Sequence, residues 1–214
     1  LGLHMDALAR EIGLDPVDFH LRNAVTKGHT NMTGTFFGSC GLKECITKVT
    51  KKAGWKRKYG KLPPLKGIGL GIGAMASGAK GVFKHDTSAA FIKIQDDGTM
   101  SLFIGLPDMG QSSHTAMAII AAEVLGAQPA DITVIAGDTD VTPLDVGAFT
   151  QRGTFNTGNA VKAACLDARQ QIAVTAAGIL GVKPAHLEFR GGMIYPRGEP
   201  GKSMPFRKAV YDTL

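Results

Sequence analysis

Cysteine is scarce in this sequence: Cys40, Cys45 and Cys165 are the only three in 214 residues. Three such scattered thiols make neither a disulfide framework nor a zinc site, which favours a reducing, cytoplasmic setting. The six histidines never fall at metal-ligand spacing, so no metal ligands are expected from this chain. Acidic residues thin out after Asp145, where only Asp167, Glu188, Glu199 and Asp212 remain. No apolar run approaches the roughly 20 residues that a membrane-spanning helix needs, and no signal peptide is recognisable. An initiator Met is missing too. The chain opens Leu1-Gly2 and moves straight into a helix-like pattern, as a piece of a longer protein would.

What is present suits a globular chain. With 44% hydrophobic, 20% charged and 7% aromatic residues, it can fill one large domain or two small ones. The net charge of +6 is concentrated between Lys43 and Lys66. That stretch holds Trp55 and Tyr59 but no stacking platform or recognition-helix pattern. It reads as a solvated helix face and linker, and no nucleic-acid partner is expected.

Periodicity divides the chain. Met5 to Ile12 has helical spacing and stops at Gly13; Asp15-Pro16 caps and opens a second helix running to about Asn23. A polar loop spans Thr26 to Cys40, and Leu42, Ile46 and Val49 mark a third helix ending near Gly54. Lys56 to Lys66, with Pro63-Pro64, reads as a linker. Residues 1–60 thus form a helical segment, and 61–214 a mixed helix–sheet layer; the fold class is α+β.

In that layer Gly67 to Gly73 alternates like a closely packed strand. Asp96-Asp97-Gly98 sits between two alternating runs, Ala89–Ile94 and Thr99–Ile104, a strong hairpin signal. Met117, Ile120, Ala121 and Val124 mark a helix that Ser112 or Ser113 can cap and Gly126 closes. Ile132 to Ile135 reads as a strand. A long helix from Gly158 to Gly181 carries Val161, Ala164, Cys165, Ala168, Ile172, Ala176 and Ile179. Leu187–Phe189 and Met193–Tyr195 suggest a hairpin across Gly191-Gly192, and Phe206 onward begins another helix.

Several motifs invite chemistry and fail a physical test. Gly71-Ile72-Gly73-Ala74-Met75-Ala76 fits a dinucleotide pattern, but neither a strand before it nor a helix after it is signalled. Close strand packing, or a loop from Met75 to Phe83 lining a pocket, explains it as well. Asp138-Thr139-Asp140-Val141-Thr142 resembles a phosphatase nucleophile loop, yet no later acidic pair could hold magnesium. It reads as a turn that satisfies backbone N–H groups. Ser112, Ser113 and His114 are adjacent on a helix and cannot face one another as a triad; His114 reads as a hydrogen-bonding residue at a helix start.

Two stretches remain. Pro107-Asp108-Met109-Gly110-Gln111-Ser112-Ser113-His114-Thr115 is a tight turn feeding a helix N-terminus, a place suited to an anion or a ring of polar heteroatoms. Asp145-Val146-Gly147-Ala148-Phe149-Thr150-Gln151-Arg152-Gly153-Thr154-Phe155-Asn156-Thr157-Gly158-Asn159-Ala160 is dense in short donors at the start of the long helix. Two such starts can converge on one large polar ligand, or be unrelated loops.

In order and spacing, these segments resemble the molybdenum-binding large subunit of the xanthine oxidase family of molybdenum hydroxylases. Met5–Ala9, Leu14-Asp15-Pro16 and Leu21-Arg22-Asn23 are similar to that family's first helices. Asp108–Thr115 is similar to its Gly-Gln-Gly-x-His-Thr loop. Ala122–Gly126, Asp138-Thr139, Thr142-Pro143 and Gln151–Thr154 follow in order, so the likeness covers nearly the whole chain. Ser112 stands for the usual third Gly, and Gln151-Arg152-Gly153 for the commoner Ser-Arg-Ser.

The resemblance implies a molybdopterin cofactor carrying molybdenum, in the cytosine dinucleotide form if the parent is bacterial. Gly110, Gln111 and Ser112 would contact it. Phe149, Thr150 and Gln151 would lie beside the metal, and Arg152, Gly153 and Thr154 would continue the cradle. The glutamate that activates water in this family lies beyond this chain, so no catalytic residue is expected here and the fragment alone should be inert. The remainder of the large subunit would complete the site, and iron-sulfur clusters and FAD on other domains or subunits would carry electrons. The implied reaction is hydroxylation or reductive dehydroxylation of an aromatic, heterocyclic or aldehyde carbon in a small-molecule substrate. The spellings of the two loops favour the 4-hydroxybenzoyl-CoA reductase branch. The contrasting expectation is a subunit-assembly module without cofactor.

Overall fold

The computed structural model describes residues 2–32, 34–75, 77–78 and 85–213. The fold is α+β, and the chain divides into two compact units, residues 1–74 and 75–214.

The first unit is helical. Helix α1 spans Gly2–Glu11 and α2 spans Pro16–Asn23. As expected from Asp15-Pro16, the Asp15 carboxylate accepts the Val17 N–H at 2.8 Å, satisfying one of the free donors of the first turn. The same carboxylate accepts the indole N–H of Trp55 at 3.0 Å. Helix α3, Leu42–Ala53, ends at Gly54 in the left-handed conformation, and α4, Trp55–Lys58, follows at once. Trp55 stacks on Tyr59 with ring centroids 4.5 Å apart. It closes a small core with Val17 and Ile46.

The boundary between the units differs from the expected 60/61. Ile68, Leu70 and Ile72 pack onto the Trp55 cluster, so residues 61–74 belong to the helical unit. The alternation of Gly67 to Gly73 does turn one side inward, but no strand forms there, and the stretch pairs with no sheet. The expected Met75–Phe83 loop falls mostly outside the described residues.

The second unit holds two small sheets. Strands β1 (Ala90–Ile94) and β2 (Met100–Ile104) form the expected antiparallel hairpin, with Ile92 opposite Leu102. Its turn needs Gly98: φ is +84°, and a Cβ there would lie 3.0 Å from Arg207 Cβ. Strand β3 (Ile132–Ala136) runs parallel to β2, reached through helix α5 (Ser113–Leu125). The 23-residue helix α6 (Gly158–Leu180) comes next. Strands β4 (Leu187–Arg190) and β5 (Met193–Pro196) make the second hairpin. A short β6 (Met204–Pro205), unsigned in the sequence, pairs with β5, and α7 (Phe206–Tyr211) follows.

Met100, Leu102 and Ile104 of β2 point into a core with Met117, Ala121 and Leu125 of α5 and Val161, Cys165 and Ala176 of α6. A buried Leu or Ile in such a core contributes about 1.5–3 kcal/mol. Burial pushes the Cys165 thiol up to about 12, so it acts as a small apolar group. Ile179, expected inside, is exposed, and Leu180 takes the inward place. The α5–α6 contact is close: a Cβ on Gly158 would lie 3.0 Å from Ile120 Cδ1. Asp138 to Thr142 is a turn, with Asp138 Oδ1 accepting the Asp140 N–H at 3.0 Å and the Asp138 carbonyl accepting from Thr142.

Candidate functional site

The first turn, 107–112, leaves the end of β2 and opens α5. Ser112 stands at the cap position, but it is left-handed, with φ of 60°, and its side chain makes no capping bond. The expected Ser112 or Ser113 cap is therefore corrected: Asp108 does that work from farther back. Its Oδ2 accepts the His114 N–H at 3.3 Å and the Ser113 hydroxyl at 3.3 Å, while Oδ1 accepts the Gly110 N–H at 2.8 Å. The Gly110 amide, opposed by the small cost of desolvation, is the main reason the Asp108 carboxyl sits below its ordinary range.

Gln111 is exposed but not idle. Its Oε1 accepts the Met109 N–H at 2.6 Å, and its Nε2 donates to the Pro107 carbonyl at 3.1 Å and to Ser113 Oγ at 3.2 Å. The side chain thus shapes the turn from within. His114 Nε2 donates to the Leu106 carbonyl at 3.2 Å, a helix-start hydrogen bonder as expected.

The second turn, 149–152, opens α6 through a wider π-helical stretch, Gly153–Thr157, a local form that recurs at functional sites. Thr150 and Gln151 are both left-handed, with φ of 47° and 58°. Among the described residues, four non-glycine residues have positive φ, and Ser112, Thr150 and Gln151 are three of them. Such backbone costs of order 1–3 kcal/mol per residue and persists only where the surroundings enforce it. Gly78 N–H donates to the Thr150 carbonyl at 2.7 Å, and Arg152 N–H closes the turn on the Phe149 carbonyl at 3.1 Å.

Arg152 departs from its expected place in a ligand cradle. Its side chain is wholly buried. Nε donates to Asp86 Oδ1 at 2.7 Å, Nη1 to Asp145 Oδ1 at 2.5 Å and the Gly147 carbonyl at 2.8 Å, and Nη2 to the Thr87 carbonyl at 2.6 Å and Ser88 Oγ at 2.9 Å. Burial works to lower the Arg152 pKa, but the bonds to Asp86 and Asp145 outweigh it and hold the guanidinium above its ordinary value. Burial likewise raises Asp145, and is outweighed by donation from Ser88, the Gly147 N–H, Thr157 and Arg152. Arg152 and Asp145 are both held charged. Asp86 and Ser88 were not singled out from sequence; their partners lie 64–70 residues away, and no local pattern marks them.

The two turns are neighbours. Leu106, whose carbonyl His114 holds, packs against the second turn: a Cβ on Gly153 would lie 3.4 Å from Leu106 Cδ1. Gly110, Gln111, Ser112, Gln151 and Thr154 are exposed, and Phe149, Thr150 and Gly153 half-buried. Nothing lies within 4 Å of a Cβ placed on Gly110, so a ligand has room to approach the main chain there. A groove of about 370 Å³ lies elsewhere, between β1, α6 and α7, and one of about 710 Å³ lies within the helical unit; no residue of the two turns lines either. Among the described residues, no group of three or more His, Cys, Asp or Glu could hold a metal ion.

Paired left-handed turns of main-chain amides and short polar groups, at the starts of two packed helices, define a domain that can grip a large polar cofactor from one side. The chain belongs to the molybdopterin cofactor-binding domain family, whose model matches residues 47–213. It is 31% identical over 199 residues to the xanthine dehydrogenase molybdenum-binding subunit of Escherichia coli O157:H7, covering 89% of this chain and 26% of that one. To the aldehyde oxidoreductase molybdenum-binding subunit of Escherichia coli K12 it is 28% identical over 197 residues, covering 91% and 26%. Quinoline 2-oxidoreductase from Pseudomonas putida 86 has the same fold, with a TM-score of 0.66 at 26% identity over 97% of this chain and 28% of that one. The chain thus spans about a quarter of the length of the curated relatives it matches.

Proposed function

We propose that the chain forms one wall of a molybdopterin site in a larger oxidoreductase, gripping the cofactor through the turns at 110–112 and 149–154. The observation that carries this reading is the concentration of left-handed, non-glycine backbone in two adjacent turns, within a domain of a cofactor-binding family. The donor chemistry fits the group: open main chain at Gly110, exposed Ser112, Gln151 and Thr154, and the half-buried Phe149 face beside them. When bound, the cofactor supplies the redox chemistry; the protein supplies binding, orientation and electrostatics. Gly110 lets the ligand approach the backbone. Ser112, Thr150, Gln151, Gly153 and Thr154 offer amides and short side chains, and Phe149 excludes water on one side. Gln111 acts mainly by holding the first turn's shape, and Arg152 by holding the second's.

On this reading the parent enzyme acts on an aromatic, heterocyclic or aldehyde carbon in a cytoplasmic setting. Iron-sulfur and flavin centres on other domains or subunits would take up the electrons, and the pterin would carry a cytosine nucleotide. Named relatives act in xanthine, aldehyde and quinoline oxidation; the 4-hydroxybenzoyl-CoA reductase branch is the assignment the loop spellings favour. The site's other wall, with the water-activating glutamate, comes from the rest of the large subunit.

The test is molybdenum and pterin content of the full parent enzyme carrying Gln111→Ala or Gln151→Ala. Each variant should purify with less cofactor than the wild type. Unchanged content and turnover in both would leave the chain as an assembly module without cofactor.

A further inference from the structure

We infer that Arg152 is a positioning residue: it locks the Thr150–Gln151 turn in its left-handed form from below and never touches the ligand. This rests on reading that turn as part of the cofactor cradle. A guanidinium offers five N–H donors in a rigid fork, and here each has an acceptor: one on Nε, two on Nη1 and two on Nη2. The acceptors come from two separate segments, Asp86-Thr87-Ser88 and Asp145 to Gly147. Those segments are in turn gripped from the far side of the turn. Asn156 Nδ2 donates to Asp86 Oδ1 at 2.6 Å, and Thr157 Oγ1 donates to Asp145 Oδ2 at 2.9 Å.

The Gly78 N–H holds the Thr150 carbonyl from one side, and the Arg152 side chain, with the segments it grips, ties the chain beneath and after the two left-handed residues. Without that frame, Thr150 and Gln151 have an easy route back to negative φ, which would swing their amides away from the exposed face. Lysine cannot replace the fork. A single ammonium carries three donors at one point and cannot reach acceptors distributed around both ends of a planar guanidinium. The usual charge-conserving exchange is thus the informative one.

The experiment compares full-length enzyme carrying Arg152→Lys with Ile172→Ala, a substitution in the helix core away from both turns. Hydrogen exchange across residues 145–157, molybdenum content and melting temperature are read for each. Arg152→Lys should accelerate exchange in 145–157 selectively and weaken cofactor retention about tenfold or more, the scale typical of residues that orient a metal site's direct contacts. Ile172→Ala should lower the melting temperature and keep the cofactor. Asp86→Ala removes the Nε tie together with the Asn156 bond, at a partly exposed partner, leaves the Nη1 and Nη2 bonds in place, and should loosen the same peptide to a lesser degree; it decides the matter if Arg152→Lys does not fold. Wild-type exchange in 145–157 in the folded variants overturns the proposal. So does loosening spread evenly over the domain with cofactor retained as in Ile172→Ala. Selective loosening without change in molybdenum would support the positioning role and count against the cofactor cradle, so the two readings fail separately.

Discussion

The two turns reach the same left-handed backbone by opposite means. In the Asp108 turn the side-chain bonds join residues two to eight apart, and the capping carboxylate is exposed. In the Arg152 turn the decisive bonds reach 64 to 66 residues upstream, and both Arg152 and Asp145 have fully buried side chains. A locally closed turn can form wherever its dozen residues are present. A turn closed by distant partners exists only when the domain has folded, and its fidelity reports the whole domain.

The strongest way to break this comparison is Arg152→Leu. Removing one member of a buried charged set leaves its partners unpaired, which costs about 3–5 kcal/mol. Denaturant unfolding of the enzyme should show that loss, with the 107–112 turn still protected from exchange. Gly105→Ala comes next. Its Cβ would lie 2.3 Å from the Pro143 carbonyl oxygen and 2.8 Å from Asp145 Cβ, so it should displace the Asp145 loop. The expected destabilisation is about 1–3 kcal/mol, the range for overpacking, with the second turn disturbed and the first spared.

Asp108→Ala should do the reverse with a smaller effect: faster exchange at Gly110 and His114, little change in unfolding free energy, and an unperturbed second turn. An equal effect on both turns would sink the distinction between them. Acid gives the finest separation. Asp145 and Asp108 both sit below the ordinary carboxylate value of 3.8 when folded. Each therefore adds stability that is full above 3.8 and is lost as pH falls through the lower folded value. The Asp145 contribution lies in a buried network and should dominate a stability–pH curve below that point. Asp145→Asn should flatten the acid limb; Asp108→Asn, with an exposed, screened charge, should leave it nearly as steep.

The same division explains what could be read in advance. The Asp97-Gly98 hairpin, the Asp15 cap and the Gly54, Gly126 and Gly181 helix ends were legible because each depends on neighbours within a few residues. The Asp108 turn was located correctly, but its cap was assigned to Ser112 or Ser113, since proximity to the helix start does not reveal a carboxylate reaching across from six residues before. The domain boundary was misplaced because Ile68, Leu70 and Ile72 alternate like a strand, and only the Trp55 cluster decides which unit they serve. Arg152 entered the cradle only through the family resemblance, and nothing local to the loop shows that its side chain turns inward.

The sequence by itself determined where the chain turns, which faces of its helices are apolar, and the ordered loop spellings that mark a molybdopterin-binding family. Those are properties of short windows, governed by backbone sterics and side-chain periodicity. Tertiary structure alone decided that the two turns adjoin across Leu106 and that Arg152 lies inside, with Asp86 and Asp145 as its counterions. A buried charge is tolerable only where several distant acceptors converge on it, and such convergence has no signature along the chain.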